Sequence, residues 1–184
     1  MFFAIPWPGK LVEELHRATE PIREAHLPIR WIPAQNIHLT LRYLGSQPTA
    51  EVDAWVSRAQ DALAALPPVE VDLTALAWFP SPRRARMLAA MVAATPSLHA
   101  ISERLEHLAR AAGLQAETRP FRPHLTVARM RRPAAMDWPV HTIPVAQHLI
   151  THEIMLVRSE LRPEGAKYED VAAISLSAAD PSPS

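Results

Sequence analysis

Apolar positions recur along this chain with two different periods, and each change of period marks a predicted element. Met1 to Ile5 is an unbroken apolar run stopped by Pro6 and Pro8, which predicts a short buried strand. From Lys10, Leu11, Leu15, Ala18 and Ile22 recur at helical spacing and predict a helix that Pro21 bends or ends. Arg30-Trp31-Ile32 predicts a short strand before Pro33, and Ile37 to Leu44 alternates and stops at Gly45. Val52, Trp55, Val56, Ala59, Leu63 and Leu66 line one side of a second helix over Ala50 to Leu66, closed by Pro67-Pro68.

In Val69 to Phe79 the apolar Val69, Val71, Leu73 and Ala75 share one face and Glu70, Asp72 and Thr74 the other. Met87 to Val92 is apolar and pairs with it as a hairpin across Pro80-Ser81-Pro82-Arg83. Leu98, Ile101, Leu105 and Leu108 predict a helix over Leu98 to Ala112, with Gly113 at its C-terminal cap. Pro123 to Arg129, Glu153 to Glu160 and Tyr168 to Leu176 read as strands, the last two joined by a turn at Pro163-Glu164-Gly165. Strands dominate without regular strand–helix–strand alternation, so the pattern predicts an α+β fold with mainly antiparallel sheets.

Composition narrows the function classes. A length of 184 residues supports one sizeable core, or two lobes sharing one. We expect a single bilobal domain over 1–177 and a flexible tail over 178–184. The 19 prolines are scattered as punctuation between many short elements. Nineteen basic side chains balance nineteen acidic ones, so phosphate recognition must be local rather than driven by a global field. With no cysteine, disulfides, thiolate metal sites and cysteine nucleophiles are excluded. No apolar run nears the roughly 20 residues that span a bilayer, and the start is too short and uncharged for a signal peptide. The expectation is a cytoplasmic protein with no membrane contact.

The candidate chemistry lies in a repeated string. Asn36-Ile37-His38-Leu39-Thr40-Leu41 is matched by Arg122-Pro123-His124-Leu125-Thr126-Val127, 86 positions later. On a strand, His38 and Thr40 share one face while Leu39 and Leu41 point into a core, and the same holds for His124 and Thr126. Each strand then offers one imidazole beside one hydroxyl, and the duplication suggests a diverged internal repeat. With ordinary pKa values near 6.5, one imidazole can accept a proton while its partner donates one. Displacement at phosphorus with an alcohol leaving group needs that pair, and two hydroxyls can serve the non-bridging oxygens. The pattern is symmetric, so it leaves open which histidine donates. A bell-shaped rate profile bracketing neutral pH is expected.

The resemblance runs from Phe3-Ala4-Ile5-Pro6 through Asn36-Ile37-His38-Leu39-Thr40-Leu41-Arg42-Tyr43-Leu44-Gly45. It continues through Arg119-Pro120-Phe121-Arg122-Pro123-His124-Leu125-Thr126-Val127-Ala128-Arg129 to Ser159-Glu160-Leu161-Arg162-Pro163-Glu164-Gly165-Ala166-Lys167-Tyr168. On these residues the chain resembles the two-histidine (2H) phosphoesterase superfamily, in particular its RNA 2′,3′-cyclic phosphodiesterases, also called 2′-5′ RNA ligases (LigT/ThpR type). It departs from the family at Tyr43, where phenylalanine is usual, and at Met87-Leu88-Ala89-Ala90, where a strand normally carries tryptophan and glycine. The resemblance implies a two-lobed, pseudo-symmetric fold, each lobe an antiparallel sheet with helices outside, and a cleft between them. It implies His38 as proton donor to the leaving 3′ oxygen, His124 as proton acceptor from water, and Thr40 and Thr126 as phosphate holders. The product would be a 2′-phosphate, with ATP-independent ligation as the reverse reaction, and no cofactor or metal.

Beyond these four residues, Arg129 is a candidate phosphate ligand. Five residues after His124, it falls on the wrong face of an ideal strand and needs a bulge to reach the site. Arg122 and Arg119 are candidates for steering an RNA end, and Tyr43 or Phe121 for stacking on its terminal base. Asn36 reads as a turn cap, while Arg83-Arg84 and Arg131-Arg132 read as solvated loops. His148 and His152 have helical metal spacing but no completing ligands, and no glycine-rich phosphate loop is present. RNA ends or nucleotide cyclic phosphates are the expected partners of a monomer. The alternatives are a phosphodiesterase of small cyclic phosphates and a non-catalytic RNA-end-binding module.

Overall fold

A computed structural model of the chain describes residues 1–25, 27–136, 142–162 and 165–176. Its strands are β1 (Phe2–Pro6), β2 (Ile29–Trp31), β3 (His38–Tyr43), β4 (Val69–Phe79), β5 (Ala85–Val92), β6 (His124–Ala134), β7 (Thr142–Thr151), β8 (Glu153–Arg162) and β9 (Gly165–Ser175). The helices are α1 (Gly9–Ala18), α2 (Glu20–Glu24), α3 (Val52–Leu63) and α4 (Pro96–Ala111). The expected tail at 178–184 and most of the turn at Pro163-Glu164-Gly165 lie outside the described residues.

Among the described residues every strand pairing is antiparallel, in the order β7-β4-β5-β6-β3-β1-β8-β9, with β2 added to β6. Two four-stranded halves are therefore visible, β3-β1-β8-β9 and β6-β5-β4-β7. They are joined by one registered pair, Leu39 opposite Leu125. The halves are not the two halves of the sequence, because the last strands, β8 and β9, return to pair beside β1.

The helices cover one face of this sheet, with α3 against β9, α4 against β3 and α1 against β7. One large apolar cluster lies beneath them and includes Phe3, Ile5, Leu39, Leu41, Trp55, Leu76, Leu105 and Leu125. A second, smaller cluster of Phe2, Ala4 and Val157, with Met155 and Tyr168 packed on it, occupies the opposite face of β1 and β8. Trp7 Nε1 donates to Gln147 Oε1 at 3.0 Å, and Gln147 Nε2 donates to the Leu11 carbonyl at 2.9 Å. That buried amide ties the end of β1 and helix α1 to β7 in the other half.

Local chemistry accounts for the element ends. Pro21 does not bend one long helix. α1 stops at Ala18 and Pro21 sits in the first turn of α2, where a missing N–H leaves no bond unmade. Thr95 caps α4 by accepting from the Leu98 N–H, and Pro96 occupies its first turn. Gly113 ends it at φ +85° and its N–H reaches back to the Arg110 carbonyl. Among the described residues, no helix is long and apolar enough to cross a membrane.

Strands β3, β4, β6 and β9 each carry an extra residue against a neighbour, and these bulges decide which side chains face away from the helices. In β4 the register slips between Leu73 and Ala75, so Leu76 and Trp78 take over the core face from Val69, Val71 and Leu73. Ala75 is thus not the fourth member of a uniform core stripe, and Phe79 comes round to the opposite face.

Candidate active site

His38 opens β3 and His124 opens β6, on the two strands that meet at Leu39 and Leu125. Both leucines are fully buried under the helices, which turns the flanking His and Thr side chains to the other face. Extending the antiparallel register from that pair sets His38 against Thr126 and Thr40 against His124. The two motifs are thereby related by a local two-fold. His38, Thr40, His124, Thr126 and Arg129 all line one cavity of about 170 Å³, together with Phe2, Ile32, Asn36, Tyr43, Ser159 and Tyr168.

The imidazoles are held in matching ways. Nδ1 of His38 donates to the Asn36 carbonyl at 2.8 Å, and Nδ1 of His124 donates to the Arg122 carbonyl at 2.8 Å. In each neutral ring this fixes the tautomer and leaves the Nε2 lone pair for the cavity. An aromatic ring stacks on each: Phe2 on His38 at 4.8 Å between centroids, and Phe79 on His124 at 4.5 Å. Tyr168 adds an edge contact to His38 at 5.2 Å.

Burial lowers both histidines. His38 is held at about 4, chiefly by desolvation, with the Arg129 and His124 charges adding to it and the Asn36 hydrogen bond opposing it. His124 is likewise lowered by desolvation, and then by the Arg122 and Arg129 charges. Both rings are therefore neutral near pH 7 in the protein alone.

Arg129 reaches the cavity through a bulge. Thr126 is opposite Ala89 but Ala128 is opposite Leu88, so Val127 is an extra residue and both Val127 and Ala128 are buried. The same device operates in β3. Thr40 is opposite Ala4 but Arg42 is opposite Phe3, so Leu41 is extra and Tyr43 turns to the cavity face beside Phe2. Arg42, displaced to the helix side, pairs with Glu106 of α4 at 2.6 Å. Tyr43 and Arg129 each follow their histidine by five residues.

The remaining sequence candidates divide. Arg122 is not among the cavity-lining residues; its guanidinium lies 4.4 Å over the Phe79 ring, so it backs the ring that backs His124. Arg119 is engaged by Glu117 at 3.1 Å, and Phe121 packs edge-on against His99. Asn36 does more than cap a turn, since its Nδ2 donates to the Ala166 carbonyl at 3.1 Å and braces the start of β9. His148 lies on β7 with Nδ1 2.7 Å from Asp72 Oδ1, and His152 falls in the turn after it, so their helical spacing does not apply. Among the described residues, no three His, Asp or Glu side chains gather to hold a metal ion.

Sequence reasoning missed Phe2, Phe79, Ile32, Ser159 and Tyr168 as site residues. Ser159 and Tyr168 are cross-strand partners between β8 and β9. Their presence in the resembling segment was the available signal, whereas nothing local marks Phe2 or Phe79 as a backing ring.

Residues 11–159 match the family described as the 2′-5′ RNA ligase superfamily. The chain belongs to the 2′-5′ RNA ligase superfamily. A relative from Methanothermobacter thermautotrophicus, named RNA 2′,3′-cyclic phosphodiesterase, is 25% identical over 95% of this chain and 97% of its own. One of the same name from Thermus thermophilus is 27% identical over 96% and 89%. The crystal structure of Thermus thermophilus TT0787 superposes with a TM-score of 0.82 at 25% identity, covering 95% of this chain and 96% of that one. E. coli LigT, crystallised with 3′-AMP, has the same fold at a TM-score of 0.74 and 24% identity, over 95% and 96%. The superfamily fold thus spans nearly the whole of this member.

Proposed function

We propose that this chain, as one bilobal unit and a cytoplasmic monomer, hydrolyses RNA 2′,3′-cyclic phosphate ends to 2′-phosphates. The observation that carries the reading is the pair of imidazoles, each with Nδ1 tied to the carbonyl two residues before it and its remaining nitrogen available to one shared cavity. The names of the curated relatives agree with it.

In this mechanism Nε2 of His124 accepts a proton from water as the water oxygen bonds to phosphorus. The P–O3′ bond breaks on the opposite side, and the 3′ oxygen takes a proton from Nε2 of His38. The hydroxyls of Thr40 and Thr126 donate to the non-bridging oxygens, and the Arg129 guanidinium offsets the charge that grows there. His38 must be protonated to act, and the anionic phosphate supplies the field that raises it from about 4. With a 5′-hydroxyl in place of water, the same proton transfers form a P–O5′ bond as P–O3′ breaks, and so make a 2′-5′ linkage without ATP.

The test is an oligoribonucleotide ending in a 2′,3′-cyclic phosphate, incubated with the protein in excess EDTA and followed by phosphorus NMR. A new 2′-monoester signal is expected. Its absence, or turnover only on adding metal, overturns the proposal.

A further inference from the structure

The paired strands β2 and β6 carry three arginines, of which the hydrolytic chemistry uses only Arg129. Arg30 stands directly opposite Arg129, and the Arg131 N–H bonds to the Pro28 carbonyl one step further on. The alternate positions Ile29, Trp31 and Met130 pack on the helix-side core. Arg30, Arg129 and Arg131 therefore share the other face, the one that holds the histidines. Ile32, two residues after Arg30 on that face, already lines the cavity.

Like charges directly opposite on a strand pair repel one another. Among the described residues no carboxylate pairs with Arg30, Arg129 or Arg131, although carboxylates do pair with Arg42, Arg119 and Arg158. In a chain of zero net charge, this is a local concentration of unneutralised cations leading away from the two imidazoles. Two residues along a strand cover about 7 Å, and a directly opposed pair is closer still, so the three arginines are neighbours on one face.

We infer that Arg30 and Arg131 form a subsite for the backbone phosphate one nucleotide upstream of the cyclic end, with Arg129 serving the end itself. This rests on the proposed hydrolysis of RNA ends. A cyclic phosphate terminates its strand, so every other phosphate of the substrate lies on its 5′ side. In hydrolysis these are the phosphates that arginines beside Arg129 can meet. The subsite selects an oligomer over a mononucleotide by an ionic contact that carries no base preference.

The test measures binding rather than turnover, so it stands apart from the NMR experiment above. Titrate the protein with a trinucleotide ending in a 2′-phosphate and with the corresponding mononucleotide 2′-phosphate, at several salt concentrations. The wild type is expected to prefer the trinucleotide. Arg30→Gln and Arg131→Gln are each expected to cut the trinucleotide-to-mononucleotide affinity ratio by about tenfold. Each should also flatten the salt slope for the trinucleotide by about 0.7, one single-strand phosphate contact. Arg30→Lys should recover part of the ratio. An unchanged ratio and slope in both glutamine variants, or a wild type that binds the two ligands equally, overturns the subsite. A protein that gives no 2′-monoester yet shows the ratio loss keeps the subsite and loses the hydrolase.

Discussion

Tyr43 and Arg129 hold the same place after the two His-x-Thr motifs: each lies five residues after its histidine, and each is returned to the cavity face by one extra residue in its strand. The local two-fold therefore extends past the His-x-Thr strings into the backbone irregularities that follow them. The two sides then diverge in chemistry, with an aromatic ring on one and a guanidinium on the other.

That divergence gives the first prediction. Tyr43 is 57% exposed and stacks with Phe2 at 6.5 Å, which leaves one ring face for a base. Tyr43→Ala should weaken binding of a nucleotide 2′-phosphate by roughly 1–3 kcal/mol while leaving inorganic phosphate binding alone. Calorimetric titration with both ligands checks it, and equal losses for the two would refute the base-stacking role.

Arg129 depresses both histidines by its charge. Removing a neighbouring cation favours the protonated ring, so Arg129→Ala should raise both imidazole pKa values while lowering phosphate affinity. NMR titration of the ring protons reads the first effect and a binding isotherm the second. A downward move of either histidine would contradict the assigned cause.

The lowered pKa of His38 also makes stability depend on pH. Between about 4 and 6.5 the unfolded chain binds the proton that the folded ring refuses, so stability rises with pH across that window. It is complete above 6.5 and lost as the pH falls toward 4, on the order of 3 kcal/mol at most. His38→Leu should flatten this part of the curve in denaturant melts, and a variant with the wild-type slope would rule it out.

Catalysis carries the same signature. With both rings lowered, the optimum of kcat/KM, which reports the protein without substrate, should fall on the acid side of 6.5 rather than bracket neutrality. The bound phosphate raises both rings, so the kcat optimum should lie at higher pH. Coincident optima would mean that the phosphate does not couple to the imidazoles. His38→Ala and His124→Ala should each lower kcat by about a hundredfold or more, measured on the cyclic-phosphate oligomer.

The legible part of the fold was the part set by local periodicity. The alternation of His38 to Leu41 and of His124 to Val127 fixed which side chains share a face, and the helical spacing of Leu98 to Leu108 located α4. Bulges escaped because they arise from pairing with a neighbouring strand, which no single strand records. The Ala75 stripe failed for that reason, whereas Arg129 could only be posed as needing a bulge. Phe79 and Phe2 were hidden in the same way, since a ring becomes a backing for His124 or His38 only once distant strands are side by side. Strand β7 carries no clear period in the sequence. Its edge position gives it one neighbour, β4, and its exposed Ile150 blurs the alternation.

The return of β8 and β9 to the side of β1 has a consequence for how the molecule comes into being. In chain order β4 to β7 all precede β8 and β9, so the partners of His124 in β4 and β5 are made while β1 still lacks its second neighbour. The neighbourhood of His38 is completed only when the final two strands emerge, because Tyr168 and the Val157 patch under Phe2 belong to them. A chain cut before β8 would lack the ring edge and the apolar patch that flank His38, while the ring that backs His124 would still be present.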